Sequence, residues 1–207
     1  MQKLTLCGLF IGLTGILGAQ EMHRFSVTAG AGFTSPVGRT SDIVDTGWNV
    51  RAGLGVNFHP HVGLMLDVGY DSMGVRSPIL NNLGFGGGSL SVFSATLNPV
   101  VHILPTGPVD VYLTGGGGLY RQSREFTQPG VERGVGFDPF FGYYPYASPV
   151  DVVVSSYSVV KPGVDGGMGI AFGSKWGGKF FAEARYNRIF LRNRHTDYVP
   201  VTFGFRW

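Results

Sequence analysis

The sequence predicts an all-β protein, a transmembrane antiparallel up-and-down β-barrel of about eight strands. Three observations carry this. Apolar residues alternate with small or polar ones at period two along most of the chain. Only 14% of the 207 residues are charged, while Gly (34) and aromatics are abundant, a composition poor in helix formers. After the first stretch of the chain no apolar run approaches the ~20 residues a membrane helix needs, although the mean hydropathy is slightly positive. Apolar character spread thinly along alternating segments is what a membrane barrel produces, because only every second residue faces lipid.

The N-terminal segment 1–19 reads as a secretory signal peptide. Lys3 supplies the positive end, 4–17 forms an apolar core of ~14 residues too short to span comfortably, and Leu17-Gly18-Ala19 offers a cleavage site before Gln20. The barrel domain is expected over 20–207, with no further domain after Trp207. The one cysteine, Cys7, lies in the leader, so the mature chain is expected to have neither disulfides nor thiol chemistry. Losing Lys3 lowers the formal charge from +3 to +2, a balance that gives no footprint for nucleic acid.

The first strand is predicted over 25–33, with Phe25, Val27, Ala29, Ala31 and Phe33 on one face. The second, 48–58, is the clearest: Trp48, Val50, Ala52, Leu54, Val56 and Phe58 alternate with Asn49, Arg51, Gly53, Gly55 and Asn57. The third, 62–70, sets Val62, Leu64, Leu66, Val68 and Tyr70 against Gly63, Met65, Asp67 and Gly69. The fourth, 90–104, carries Phe93, Ala95, Leu97, Val101 and Ile103, with Pro99 expected to mark an edge or a bulge. The fifth, 109–120, opposes Val109, Val111, Leu113 and Leu119 to Tyr112, Thr114 and a run of glycines. The sixth, 158–172, opposes Val160, Val164, Met168, Ile170 and Phe172 to Lys161 and Asp165. The seventh, 179–189, and the last, 198–207, alternate in the same way through Phe180, Ala182, Ala184 and Tyr186, then Val199, Val201, Phe203, Phe205 and Trp207.

Short links at 59–61, 105–108 and 173–178 alternate with longer ones at 34–47, 71–89, 121–157 and 190–197. That rhythm is the asymmetry of tight periplasmic turns and long outer loops, and eight strands put both chain ends on the periplasmic side. The less apolar face is mostly Gly, Ser, Thr and Asn. It would make a poor water-exposed exterior but suits a narrow lumen. Phe25, Phe33, Trp48, Phe58, Tyr70, Tyr120, Phe172, Tyr186, Tyr198 and Trp207 are expected in the two interfacial girdles.

The final stretch Tyr198-Val199-Pro200-Val201-Thr202-Phe203-Gly204-Phe205-Arg206-Trp207 resembles the C-terminal signal of outer-membrane barrels. Phe180-Phe181-Ala182-Glu183-Ala184-Arg185-Tyr186 and Val111-Tyr112-Leu113-Thr114-Gly115-Gly116-Gly117-Gly118-Leu119-Tyr120 resemble strands of the small barrels related to outer-membrane protein A. The resemblance covers 25–207. It implies a cell outer-membrane location, eight strands, and a signal at Phe203, Phe205 and Trp207 that the barrel-assembly machinery reads. The expected partners are that machinery, outer-membrane lipids and lipopolysaccharide; a monomer is expected.

Candidate sites follow from the faces. Arg51, Asp67, Lys161, Asp165, Glu183, Arg185 and Arg206 form an expected interior charge cluster, which either pairs into a plug or lines a narrow ion path; the small bore favours the plug. Phe140, Phe141, Tyr143, Tyr144 and Tyr146 make the loop 137–149 a candidate patch for a surface, a sugar or a protein, unless they pack on the rim or lie at the lipid interface. Arg192, Arg194 and His195, beside Asp197, suit anionic headgroups better than catalysis, since no serine follows His195 at close spacing and no acidic partner for a triad is identifiable. His59 and His61 alone make no specific metal site. Gly115–Gly118 lie in a strand, whereas a phosphate cradle needs a following helix. No cofactor and no enzymatic activity are expected.

Overall fold

Period-two alternation becomes eight antiparallel strands in the computed structural model, which describes residues 24–104, 109–173, 178–192 and 194–207. They are β1 (Phe25–Pro36), β2 (Gly47–His59), β3 (Val62–Gly74), β4 (Gly87–His102), β5 (Val109–Asp138), β6 (Gly142–Gly173), β7 (Lys179–Phe190) and β8 (His195–Arg206). Each pairs with its sequence neighbour, and β8 returns to β1 through Thr28↔Arg206 to Pro36↔Tyr198, so the sheet is a closed barrel. Trp207 extends the seam, its N–H and C=O both bonding to Val27 at 2.8 and 2.9 Å. The expected leader 1–19 and the short links at 105–108 and 174–177 lie outside the described residues. Among the described residues no helix is long and apolar enough to cross a membrane.

The faces follow the alternation. Leu54 and its ladder neighbours Val27 and Leu66 all point outward, with Leu54 60% exposed, while Asp67, Thr28 and Asn98 point into the lumen and are buried. A face of exposed Leu, Val and Phe around a polar interior inverts the arrangement of a water-soluble barrel.

Four expectations are corrected. The strands are longer than predicted at the outer end, because pairing continues past the point where alternation of hydrophobicity fades. The long loop 121–157 is instead the continuation of β5 and β6: they pair from Val109↔Phe172 to Asp138↔Gly142, and the true connection is residues 139–141. Pro99 marks neither an edge nor a bulge. The β4–β5 register is the same on both sides of it (Leu97↔Gly117, Val100↔Thr114), so the missing N–H is absorbed as a local gap in an intact ladder. Tyr120 and Tyr198 are not girdle residues; both are fully buried in the lumen. Pro162, by contrast, sits where an edge opens: β6 leaves β7 at Gly163, and Pro162 is the next residue outward.

Two outer connections carry further structure. Helix α1 (Ser77–Leu83) lies between β3 and β4, starting with Pro78 in its first turn and ending at Gly84, whose φ of 73° is the left-handed cap that glycine accepts. Between β1 and β2 a 3-10 turn (Gly38–Thr40) leads to Val44, which bridges to Val75.

The glycine run of β5 has a steric reason. A Cβ at Gly118 would fall on the backbone carbonyl of Ala95, and one at Gly116 on that of Leu97, across the β4–β5 ladder. Gly118→Val is therefore expected to destabilise the barrel by about 3 kcal/mol, the upper end of ordinary overpacking. An unchanged urea midpoint in lipid vesicles would show that the ladder can give way there.

Candidate functional site

Two places gather chemistry: the lumen and the outer hairpin. In the lumen, Arg185 is the hub. Its Nη1 donates to Asp67 Oδ2 at 2.8 Å and to Asp165 Oδ2 at 3.4 Å, and its Nε donates to Glu183 Oε1. Asn98 Nδ2 donates to the same Asp67 oxygen at 2.8 Å, and the Tyr120 hydroxyl to Asp165 Oδ1 at 3.3 Å. Five strands, β3 to β7, thus join one network: carboxylates of β3, β6 and β7 bond to the guanidinium itself, and β4 and β5 bond to those carboxylates. The guanidinium's planar fork suits this, since donors on separate nitrogens, Nε and Nη1, meet carboxylates that a single point-like ammonium would have to draw around one atom.

Of the seven predicted cluster residues, Asp67, Asp165, Glu183 and Arg185 are brought together here. Arg51 faces the same lumen, but no ion pair is formed by it or by Lys161 among the described side chains; Lys161 is half-buried beside Tyr120. Arg206 belongs to a separate group at the periplasmic end. There Asp110 is 2.7 Å from His102 Nδ1, 3.8 Å from Lys179 Nζ and 3.9 Å from Arg206 Nη1, while Arg206 lies over the Tyr112 ring at 4.2 Å.

Two buried carboxylates were not in the predicted cluster. Asp71, which accepts the Thr34 hydroxyl at 2.6 Å, falls one residue past the predicted third strand. Counting on by two from Asp67 through Gly69 reaches it, so the signal was present. Asp110 is the second residue of β5, and its neighbour Tyr112 marks the inward face.

This polar layer lies between two apolar ones. At the outer end Val44, Met73, Leu90, Val92, Tyr120, Ile189 and Tyr198 form one buried cluster; at the periplasmic end Met65, Val100, Tyr112, Ala171 and Phe181 form another. A cavity of about 30 Å³ near the periplasmic mouth, between Asn57, Met65, His102 and Arg206, has room for little more than a water molecule.

The hairpin is the second place. β4 accompanies β5 as far as Gly87↔Thr127, where a bulge inserts Val154 into β6. Beyond it, residues 128–138 and 142–152 form a two-stranded ribbon, held at its base where Gln128 Nε2 donates to the Gly84 carbonyl at 3.2 Å and Pro129 lies against Gly86. Tyr144 packs over Gly136 and Tyr146 over Gly134, each ring filling the space a Cβ would take. Phe137 and Tyr143 pair on the opposite face with ring centroids 5.1 Å apart. At the turn, Asp138 Oδ1 accepts the N–H groups of Phe140 (2.8 Å) and Phe141 (3.1 Å), so the chain reverses with both phenylalanines pointing outward, 91% and 88% exposed. The structure therefore brings the predicted patch together, and at the far end of a ribbon rather than on the barrel rim.

The remaining predicted residues are simply placed. Phe203, Phe205 and Trp207 face outward along the β8 seam, with Phe180 edge-on to Phe205 at 5.6 Å. His195 opens β8 and is exposed beside Arg194. His59 and His61 stack at 5.6 Å in the turn after β2, His61 Nδ1 lying 2.9 Å from the His102 carbonyl oxygen; among the described residues no group of three metal-ligating side chains forms.

No protein-family model matches the chain, and no curated protein matches it in sequence. Solved structures do. Neisserial surface protein A superposes with a TM-score of 0.54 at 16% identity, over 88% of this chain and 95% of that one. A major outer membrane protein from Thermus thermophilus gives 0.58 at 13% identity, over 88% and 97%. This chain has the fold of a small outer-membrane β-barrel. Outer membrane protein OprG from Pseudomonas aeruginosa, at a TM-score of 0.50 and 12% identity over 88% and 93%, shares that outer-membrane barrel fold.

Proposed function

We propose that this chain is an exported outer-membrane protein whose barrel is a closed anchor and whose outer hairpin makes the contacts. The observation that supports closure is the stacking within the lumen: a guanidinium held by three carboxylates, lying between two apolar layers. Eight strands leave an interior that side chains fill, so an ion would have to displace both apolar layers and a paired charge cluster. On this reading the interior charges are structural, the protein is a monomeric non-enzyme without a cofactor, and its partners are membrane lipids, with lipopolysaccharide phosphates meeting Arg192 and Arg194. The barrel-assembly machinery would read Phe203, Phe205 and Trp207 during insertion, after a leader ending at Ala19 is removed.

Planar-bilayer recording tests closure. The wild-type protein is expected to give no discrete conductance steps. Steps that disappear in Glu183→Gln would replace the anchor with a small passive channel.

A further inference from the structure

The end of the β5–β6 ribbon is graded in a way that the anchor reading leaves unexplained. Phe140 and Phe141 stand outermost and almost wholly exposed. Tyr143, Tyr144 and Tyr146 follow on β6, with Phe137 opposite Tyr143. From Gly134 to Tyr146 the only charged side chain is Asp138, and one of its oxygens is already engaged by the turn. The first base behind the tip is the exposed Arg133, four ladder pairs back from Phe137, about 13 Å at the rise of an antiparallel strand. Apolar rings, then amphipathic rings, then a cation match the layers of a lipid bilayer from inside to outside: acyl chains, interface, phosphates.

Other occupants fit less well. An added strand would need an uninterrupted edge, and Pro129 and Pro145 interrupt the donors of both ribbon strands. A polar or charged ligand would find one half-used carboxylate. The ribbon is long enough to carry its tip clear of the barrel's own membrane: it runs eleven residues per strand beyond the last pairing with β4, about 35 Å of strand.

We propose that the ribbon tip docks on a second, apposed lipid bilayer, inserting Phe140 and Phe141 at the boundary of headgroups and acyl chains. Tyr143, Tyr144 and Tyr146 lie at the polar surface of that bilayer, Asp138 keeps its outer oxygen hydrated at the same level, and Arg133 meets the phosphates. This rests on the reading of the barrel as an outer-membrane anchor, since only an anchored ribbon would hold its tip away from its own membrane.

The chain without its leader has no cysteine, so Phe140→Cys carries a single environment-sensitive fluorophore. The labelled protein is folded into lipid nanodiscs and mixed with separate vesicles of phosphatidylcholine and phosphatidylserine whose chains are brominated. The fluorophore is expected to shift to the blue and be quenched by the vesicles. Unlabelled Phe140→Ser/Phe141→Ser is expected to bind those vesicles at least ~100-fold more weakly than wild type, since each buried phenylalanine is worth about tenfold or more. Quenching only when the brominated lipid is in the nanodisc, vesicle binding unchanged in the double variant, or no binding by the wild type overturns the proposal. Failure of the anchor reading is seen separately, as a protein that never enters the nanodisc or shows no heat-dependent mobility shift on a detergent gel; the double variant keeps that shift, because neither ring touches the barrel.

Discussion

Arg185→Met is expected to cost about 3–5 kcal/mol, the penalty for removing one partner of a buried ion pair and stranding the others. Three carboxylates, on Asp67, Asp165 and Glu183, converge on this one guanidinium, and all four side chains are nearly inaccessible to water. Taking the cation away leaves three like charges within the reach of one side chain, in an interior where solvent screens them weakly. The urea midpoint for unfolding from lipid vesicles should fall while the slope of the transition is kept. Asp67→Asn combined with Arg185→Met should lose less than the two changes summed, since the neutral amide relieves the repulsion that the methionine exposes. Additive losses, or an unchanged midpoint in Arg185→Met, would mean that Arg51 or another cation already neutralises the layer.

Leu54→Arg is expected to destabilise insertion by ~2–4 kcal/mol, the cost of a cation on the lipid face near mid-bilayer. Leu54 is 60% exposed and flanked by outward Val27 and Leu66, so a guanidinium there has apolar neighbours on both sides and a long way to reach water. Phe137→Arg, on the ribbon, should leave the midpoint unchanged: its side chain is also exposed and apolar, but water surrounds it. The contrast separates a hydrocarbon belt from mere surface hydrophobicity. Equal effects at the two positions would remove the distinction and with it the assignment of the lipid face.

Most of the barrel was legible because alternation is a local property. Each strand shows it within five or six residues, and a slip of one residue would turn Leu54, Val56 and Phe58 inward, so the face of every strand was set by its own segment. The outer ends were less legible. Past Tyr120 the hydrophobic alternation gives way to Ser, Arg, Glu, Pro and Gly, and the bulge at Val154 reverses the parity of β6, so Val152, Val153 and Val154 read as a run rather than a strand. A ribbon in water needs no lipid-facing stripe, and the period that marks a membrane strand is absent from it. Being aromatic and near strand ends suggests a girdle for Tyr120 and Tyr198, but parity decides against it: Tyr120 shares that of inward Tyr112 and Tyr198 that of inward Thr202.

The sequence by itself determined the class of fold, the order of the strands, and which side of each strand faces lipid, since nearest-neighbour pairing in an up-and-down barrel needs no information beyond hydrophobic period and turn spacing. It also placed most of the lumen charges on one face. Only the tertiary structure decided which of them meet. Arg185 and Asp67 are 118 residues apart and Arg185 and Asp165 only 20, yet both carboxylates reach the same nitrogen, whereas Arg51 and Arg206, on the same face, do not join them. Contacts across a lumen depend on the stagger of strands around the closed barrel and on how far each side chain reaches, and neither is written in the period of any single strand.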